Sequence, residues 1–509
     1  MRKRHLISAM LLLSCTLLFA GCKKEPEGHK DVQEGALQIE VDNTTTYQNI
    51  DGFGAGYTYY SNYAYYNPYK EEIYDLLFKD AHLSVLRFKN SYMYNTEGEF
   101  NPKVEKEYYD KAVERLSEIG VEPKVLLSSW SPAAYLKDSE TLYGEGTIAK
   151  DESGNYRYED YGNYWYETVD AYNKAGIPIG YLSIQNEPDY TASYESCNLD
   201  FTESAKGASY PEAFAATYDA VSRLDNPPKL LGPETMSCEK GTLSLYIDAI
   251  LKLKPESLYG IAHHLYVGGG EDKEDIDYAD TFNTHFRAMA LEYPDIPKWQ
   301  TEYYEGNFMS TARIIQNSMI NENLNCYIFW GGTWMAPEGK DYENLIGVDS
   351  GTTEEDFYHE HGYVIGEKYY SMRHFSEYIL PGYTRVGANV TPVPGNPEIT
   401  QRLTCSAYVS PDNQDKLVLV TINDSEESKK LQYQFADYNI DSSKVILTDY
   451  SKGLDTEEFY QEKGSLDDNQ CYDIPAHSVM TVVISGMSDA ETVNGIFNSA
   501  EGTESPKEE

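Results

Sequence analysis

The chain has 509 residues, 41% of them hydrophobic, which is long enough for one large domain and one smaller one. Its formal net charge at pH 7 is −42, and no cluster of Lys and Arg follows the N-terminal segment. Because nucleic acids are bound largely through phosphate neutralisation by such clusters, the composition argues against a nucleic-acid partner.

The first 22 residues have the pattern of a lipoprotein signal peptide. Three basic side chains lie within residues 2–4, an apolar run covers residues 6–20, and Gly21 precedes Cys22. The apolar run is shorter than the roughly 20 residues that a membrane-spanning helix needs. We therefore expect an exported lipoprotein, lipidated at Cys22 and anchored to the outer membrane or cell surface of a Gram-negative bacterium. Residues 23–36 are predicted to be a flexible spacer.

Between residues 50 and 380, short apolar runs alternate with helical stretches. The eight runs begin near Gly52, Ser84, Pro123, Tyr181, Lys229, Gly260, Lys298 and Cys326. This alternation is typical of βα units with a parallel sheet, and the number of runs predicts a (β/α)₈ TIM barrel. A doubly wound open sheet is the alternative. The barrel is favoured because polar residues such as Arg87, Glu187 and Glu302 end the runs, where barrel enzymes carry their sites.

Strand-like runs separated by turn residues follow the predicted barrel. Such runs occur at residues 416–421, 444–447 and 478–484. They predict a small antiparallel β-sandwich side domain over residues 381–486, to which residues 37–49 add a strand. The tail, residues 487–509, is acidic and poor in apolar residues, so we expect it to be disordered.

The cysteines and histidines predict no metal site. Five cysteines remain after the signal segment, and their wide spacing fits neither a disulfide framework nor a zinc site. We expect scattered buried thiols, with a single bridge left open as a possibility. The acidic, histidine-containing stretch of residues 356–361 matches no metal-ligand spacing and is predicted to be a solvated loop.

Two glutamates occupy the positions that carry chemistry in a barrel. Glu187 follows an apolar strand, and Glu302 ends another strand three units later. Glycoside hydrolysis needs two carboxylates, and a retaining enzyme holds them about 5–5.5 Å apart. Opposite strands of a closed barrel allow that separation. Most of the 83 acidic residues are expected to be surface charges, but two at the ends of apolar strands form a more specific pattern.

The stretch from Asn186 to Pro188, combined with Glu302, resembles the large clan of (β/α)₈ retaining glycosidases. Further motifs narrow the resemblance to glycoside hydrolase family 30, and they lie at residues 50–55, 129–132, 183–189, 264–266, 375–383 and 474–479. The resemblance extends over about residues 37–486. It implies a double-displacement O-glycosyl hydrolase that needs no metal and no cofactor.

The resemblance also implies roles for individual residues. Glu187 would be the acid/base and Glu302 the nucleophile. Asn186 would bond the 2-hydroxyl of the sugar, and Arg87 would lie beneath the nucleophile and lower its pKa. His264 and Tyr266 would point toward the nucleophile from one face of a strand. Four aromatic side chains would stack on sugar rings or serve as ordinary packing: Trp130, Tyr135, Trp330 and Trp334.

Residues 185–190 and 194–197 look most like the xylanase branches of the family, so the leading prediction is a monomeric endo-β-1,4-xylanase acting on plant xylan. Members that require glucuronate side chains carry an arginine after the eighth strand. Residues 331–350 contain no Arg and only Lys340, which argues against that requirement. Another β-glycanase, such as a β-1,6-glucanase, is the alternative. A non-catalytic, glycan-binding surface lipoprotein is a further alternative, disfavoured because both carboxylates are present.

Overall fold

A barrel and a curled sheet make up the part of the chain that the computed structural model describes. That part comprises residues 30–92, 100–239, 241–267, 272–275, 277–336, 343–351, 354–391, 402–411, 415–435, 438–453 and 459–489. The signal segment with Cys22 and the end of the acidic tail lie outside the described residues. No helix within the described ranges is long and apolar enough to cross a membrane.

Eight parallel strands close into a barrel, which confirms the predicted fold class. The strand β1 (Leu37–Asn49) precedes the barrel and belongs to the sheet domain. The barrel strands are β2 (Gly52–Tyr57), β3 (Val85–Lys89), β4 (Lys124–Ser128), β5 (Tyr181–Ser183), β6 (Lys229–Thr235), β7 (Gly260–His264), β8 (Lys298–Glu302) and β9 (Cys326–Phe329). Pairing of β9 with β2, in the register Gly52 to Cys326, closes the ring.

Helices surround the barrel. They are α1 (Ser61–Tyr66), α2 (Lys70–Tyr74), α3 (Lys103–Leu116), α4 (Tyr158–Lys174), α5 (Tyr210–Val221), α6 (Leu243–Leu253), α7 (Asn283–Glu292), α8 (Phe308–Asn317) and α9 (Glu367–Ser376). Local sequence fixes where some of them begin. The side chain of Ser209 caps α5, and Asn307 and Ser310 form a capping box at the start of α8.

Alternation along the barrel strands explains how one end of the barrel becomes polar. Val85, Leu126, Tyr181 and Ala262 belong to one apolar cluster with Trp299, and Trp299 packs against Tyr181 in a tilted arrangement with 4.4 Å between ring centroids. Side chains two positions further along each strand point to the same face. Those positions hold Arg87, Ser128, Ser183 and His264. The barrel interior is therefore apolar below and polar at the carboxyl ends of the strands.

A nine-stranded curled sheet forms the second domain. Its members beyond β1 are β13 (Thr384–Val390), β14 (Leu403–Val409), β15 (Lys416–Asn423), β16 (Lys429–Phe435), β18 (Ser442–Asp449), β19 (Gln461–Glu462), β20 (Cys471–Ile474) and β21 (Ser478–Ser485). The order is β19-β18-β21-β15-β14-β13-β1-β16-β20. The pairs are antiparallel except for β1 with β16, which run parallel. Smaller sheets contain β10 (Gly331–Met335), β11 (Asn344–Val348) and β12 (Tyr363–Ile365), and β17 (Tyr438–Asn439) with β22 (Ser488–Asp489).

Both ends of the sheet domain are more ordered than the sequence predicts. The predicted spacer is held at its end, because the backbone N–H groups of Lys30 and Gln33 donate to the side chains of Gln434 and Gln432, at 3.0 and 2.9 Å. At the other end, Met487 is buried in the sheet core and residues 488–489 form β22. The predicted disordered tail therefore starts too early, because its first residue is an apolar side chain that packs.

Buried polar contacts join the two domains. The imidazole of His374 in α9 bonds the hydroxyls of Thr481 and Thr448 in the sheet, at 2.9 and 2.8 Å. Arg313 in α8 pairs with Asp424, which follows β15. Such buried groups need specific partners, so these contacts fix the barrel against the sheet in one orientation. The five cysteines of the described residues are free and buried, so none of them forms the bridge that was left open.

Candidate active site

The polar residues at the strand ends open into a cavity of about 520 Å³. Its lining is aromatic and acidic: Tyr59, Tyr60, Trp130, Glu187, Tyr190, Tyr194, Met236, Tyr266, Glu302, Tyr304, Trp330, Trp334 and Glu343. Six of these were predicted from the sequence alone to bind substrate or to catalyse: Trp130, Glu187, Tyr266, Glu302, Trp330 and Trp334. A mostly apolar cavity with a few convergent charged groups is the usual form of a small-molecule or sugar site.

Glu187 and Glu302 face each other in this cavity. One carboxyl oxygen of Glu187 lies within 4.8 Å of one of Glu302, and each residue is only 6% exposed. The backbone of Glu187 has a left-handed φ of 47°, and its N–H donates to the carbonyl of Glu234 at 3.0 Å. This unusual backbone conformation turns the residue out of the strand direction. The separation fits the retaining arrangement of about 5–5.5 Å and is too short for the inverting one of about 6.5–9.5 Å.

Arg87 lies beneath both carboxylates and is fully buried. Its guanidinium donates to Oε2 of Glu302 and to Oδ1 of Asn186, both at 2.6 Å, and to Oγ of Ser128 at 3.2 Å. Its Nη2 also lies 3.1 Å from Oε1 of Glu234. Burial, together with the charge of Glu187, raises the pKa of Glu302 above its ordinary value, and the charges of His264 and Arg87 oppose that rise. The predicted place of Arg87 under Glu302 agrees with this geometry.

Glu234, at the end of β6, is a third buried carboxylate that the sequence reasoning missed. Its oxygens accept hydrogen bonds from Ser183 and Ser128. Burial acts to raise its pKa, but Arg87 and His264 lower the pKa to about 2, so Glu234 is ionised. The signal was present, because Glu234 ends an apolar run just as Glu187 and Glu302 do.

His264 connects the three carboxylates. Its Nδ1 lies 3.0 Å from Oε1 of Glu187, and its Nε2 lies 3.8 Å from Glu234 and 3.9 Å from Glu302. Burial lowers the pKa of the imidazole, but the surrounding carboxylates raise the pKa to about 9. His264 is therefore protonated at neutral pH and donates its Nδ1 proton to Glu187. The ring of Tyr266 contacts it edge-on, with 6.0 Å between centroids.

Aromatic rings form the wall above Arg87 and Glu302. The indole of Trp130 covers the Arg87 guanidinium at 4.8 Å. Trp330 lies 5.9 Å from Trp130 and 5.3 Å from Trp334, and Tyr59 lies near all three tryptophans. These rings leave apolar faces at the cavity, which is the surface on which a pyranose ring can stack.

The structure contradicts the predicted site role of Tyr135. This side chain is 48% exposed and does not line the cavity. It lies on the short helical turn Ala134–Leu136, whose backbone is bonded by Arg157 at 2.9 Å. Its hydroxyl lies among charged side chains of α4, including Glu167 and Asp160. The motif around Trp130 therefore supplies one cavity ring and not two.

Several loop residues of the cavity were not predicted: Tyr59, Tyr60, Tyr190, Tyr194, Met236, Tyr304 and Glu343. They follow the barrel strands, and the sequence does not tell which residues of a loop turn inward. Among the described residues, the cluster of Glu187, His264 and Glu302 has the spacing of a metal-ligand group. The imidazole of His264 is protonated and Arg87 is bonded to Glu302. We therefore assign these groups to proton transfer and charge stabilisation.

Comparisons with known proteins agree with this geometry. The family described as "Glycosyl hydrolase family 30 TIM-barrel domain" matches residues 99–379. The putative glucosylceramidase 1 of Caenorhabditis elegans is 23% identical over 424 residues, which is 76% of each chain. The catalytic domain of xylanase C from Talaromyces cellulolyticus has a TM-score of 0.67 at 17% identity, covering 88% of this chain and 100% of that one.

A solved endo-β-1,6-glucanase has a TM-score of 0.62 at 17% identity and covers 89% of this chain and 96% of its own. At these identities the likeness to solved structures shows the fold alone. The family match covers more than half of the chain, and the protein belongs to glycosyl hydrolase family 30. It is therefore an O-glycosyl hydrolase with a retaining mechanism, which confirms the predicted family and reaction class.

Removal of the buried charge of Glu234 tests the electrostatic description of the site. In a Glu234→Gln variant, we expect the imidazole pKa of His264 to fall from about 9 by about one unit, because one of its three neighbouring carboxylates is lost. NMR titration of protein with isotope-labelled histidine measures this value. Protonation of His264 stabilises the folded protein fully below pH 6.5, the ordinary imidazole pKa, and this stabilisation is lost as the pH rises through the pKa of His264 in the folded state. Because that folded-state pKa is lower in the variant, the variant should lose the stabilisation at a lower pH.

The matched control for this variant is Glu322→Gln. Glu322 is equally buried but bonds the neighbouring imidazole, His263, at 2.7 Å. It should leave the His264 titration unchanged. An unaltered His264 pKa in the Glu234→Gln protein would show that Glu234 does not contribute to the charge of this histidine.

Proposed function

We propose that Glu187 is the acid/base and Glu302 the nucleophile of a retaining glycosidase acting on β-linked polysaccharide. The observation that carries this proposal is the pair of facing carboxylates, with oxygens within 4.8 Å of each other. The two groups also have different partners. Glu302 is bonded by a permanent cation, Arg87, whereas Glu187 is bonded by an imidazole that can exchange a proton.

The first step forms a glycosyl-enzyme. The free oxygen of Glu302 attacks the anomeric carbon, the glycosidic C–O bond breaks, and Glu187 transfers its proton to the departing oxygen. The bond from Arg87 occupies Oε2 of Glu302 and leaves Oε1 to attack. The charge of Arg87 opposes the rise in the nucleophile's pKa that burial causes, and its hydrogen bond positions the carboxylate.

The second step reverses the roles. Glu187, now ionised, takes a proton from water as the water oxygen attacks the anomeric carbon, and the bond to Glu302 breaks. The positive charge of His264 stabilises Glu187 while it is ionised between the two steps. Asn186 accepts from Arg87 through Oδ1, which directs its amide N–H groups away from Arg87. We assign those donors to the 2-hydroxyl of the sugar, where a hydrogen bond strengthens toward the transition state.

For the substrate, we propose plant β-1,4-xylan cut internally, without a requirement for glucuronate side chains. The support comes from the xylanase-like stretch at residues 185–197, the fold likeness to a xylanase and the aromatic cavity. None of the described residues that line the cavity is Lys or Arg, so none offers the cation that a glucuronate requirement needs. The second candidate is β-1,6-glucan, favoured by the similar TM-score to an endo-β-1,6-glucanase.

Two substitutions separate the proposed roles. Glu302→Gln should lower kcat/KM by about 10²–10⁴-fold or more on every substrate, because no covalent intermediate forms. Glu187→Gln should cause such a loss on polysaccharide and a much smaller loss of the glycosylation rate on an aryl glycoside with an activated leaving group, which needs no proton. Initial rates on both substrate types give the comparison. Glu305→Gln, a carboxylate outside the cavity lining, is the control that should retain activity.

The substrate proposal is tested by separate incubation with linear xylan, glucuronoxylan, arabinoxylan and β-1,6-glucan, followed by sizing of the products. We expect linear xylan and glucuronoxylan to be cut at rates within about tenfold of each other, since the described cavity has no cation that selects glucuronate. Release from glucuronoxylan alone would contradict that expectation. Cleavage of β-1,6-glucan with no action on any xylan would replace the first candidate with the second.

We also propose that the protein is exported and anchored through lipidated Cys22. The described chain is tied to the sheet domain from Lys30 onward, and Lys30 lies eight positions after Cys22. An extended segment of that length spans at most roughly 29 Å, so the sheet domain would be held close to the membrane. Cys22→Ala should move the protein from the membrane pellet to the soluble fraction, with unchanged activity per mole. Retention of this variant in the pellet would argue against the lipid anchor.

A further inference from the structure

Glu343 is a third carboxylate in the cavity whose role the retaining mechanism does not account for. It lies directly before β11 and lines the cavity together with Glu187 and Glu302. Its backbone is packed closely against β10: a Cβ atom at Gly331 would lie only 2.4 Å from the carbonyl oxygen of Glu343. A glycine at position 331 is therefore needed for this close approach, and it fixes where the Glu343 backbone lies.

The side chain of Glu343 is held on the nucleophile side of the cavity. Nε1 of Trp330 donates to Oε2 of Glu343 at 3.1 Å. Tyr304, two residues after Glu302, is also close: burial raises the pKa of its hydroxyl, and the charge of Glu343 raises the pKa further. Tyr190, which follows β5, and Met236, which follows β6, also line the cavity. The Tyr304 hydroxyl interacts electrostatically with both Glu343 and Glu302, so a sugar ring bound over Glu302 lies on the side of the cavity that carries Glu343.

The charges around this ring position are unbalanced. Three carboxylates line the cavity and, among the described lining residues, no Lys or Arg accompanies them. Two of these carboxylates have buried cationic partners, Arg87 for Glu302 and His264 for Glu187, and Lys89 is bonded to Glu195, so the charge of Glu343 is additional to these pairs. Lys340 lies outside the described residues. A carboxylate accepts hydrogen bonds and donates none when ionised, so Glu343 suits a ligand that presents hydroxyl groups.

We propose that Glu343 is a specificity-determining residue that selects a neutral sugar ring over Glu302 and excludes a uronic acid ring. The inference rests on the proposed function, because it takes Glu302 as the nucleophile. Oε1 of Glu343 accepts a hydrogen bond from a ring hydroxyl, while its charge repels a carboxylate carried by the ring. Attraction for one ligand and repulsion of its competitor together give the discrimination.

The test uses probes that need only the ring position over the nucleophile. 2-Deoxy-2-fluoro-β-glucosyl fluoride and its glucuronosyl counterpart differ at C6, where the first has CH₂OH and the second a carboxylate. Each forms a slowly hydrolysed ester with the nucleophile, and mass spectrometry of the intact protein and its peptides gives the labelling rate at Glu302. The corresponding xylosyl fluoride is the second neutral probe.

For the wild type we expect the glucosyl probe to label Glu302 at least about tenfold faster than the glucuronosyl probe, a difference of about 1.4 kcal/mol. Glu343→Gln keeps an acceptor for Trp330 but removes the charge, and should reduce this ratio at least threefold. Glu305→Gln removes a charge that does not line the cavity and should keep the wild-type ratio. Because the ratio is internal to each protein, a partly misfolded variant would not change it.

The possible failures have different meanings. Equal labelling by the glucosyl and glucuronosyl probes in the wild type, or an unchanged ratio in Glu343→Gln, would overturn the role of Glu343 and leave Glu302 as the nucleophile. Equal slowing of both probes in Glu343→Gln would show that this side chain only supports Trp330. If neither neutral probe labels Glu302, the proposed nucleophile is wrong and the inference fails with it.

Discussion

The guanidinium of Arg87 is the group on which the geometry of this site depends. It is fully buried, and it bonds Glu302, Asn186 and Ser128 and contacts Glu234. A buried cation is costly unless every donor has a partner, so these neighbours fix it in one position. It in turn fixes the carboxylate of Glu302 and the amide of Asn186. Removal of Arg87 would leave two buried carboxylates without their cation, which is why the site and the stability of the barrel top are linked.

The remaining charges are arranged around this cation so that the two facing glutamates differ. Glu302 is bonded by a group that stays charged at any physiological pH, whereas Glu187 is bonded by His264, whose pKa is about 9. Glu234, which has a pKa of about 2, stabilises the positive charges of Arg87 and His264. A pair of similar carboxylates in a symmetrical setting would share their titration. The unequal partners place Glu302 against a permanent cation and Glu187 against an imidazole.

The sequence predicts the barrel and its polar end because both follow from repeated local patterns. The apolar runs define the strands, and Arg87, Glu187, His264 and Glu302 lie where each run ends. The same rule would have found Glu234, which was overlooked. The rule fails where position depends on loop packing. Tyr135 is close in sequence to Trp130 but turns outward, while Glu343 enters the cavity because Gly331 allows two backbones to approach.

The position of β1 in the sheet has a consequence for how the protein is made. This strand lies between β13 and β16, so both of its partners come from the last quarter of the chain. During synthesis, more than 300 residues must be added after residues 37–49 before either partner strand has been made. The partners of the barrel strands are synthesised much earlier. Strand β1 therefore stays unpaired until the chain is nearly complete. Loss of residues 37–49 would likewise expose two sheet edges in the finished protein, and exposed edges favour aggregation.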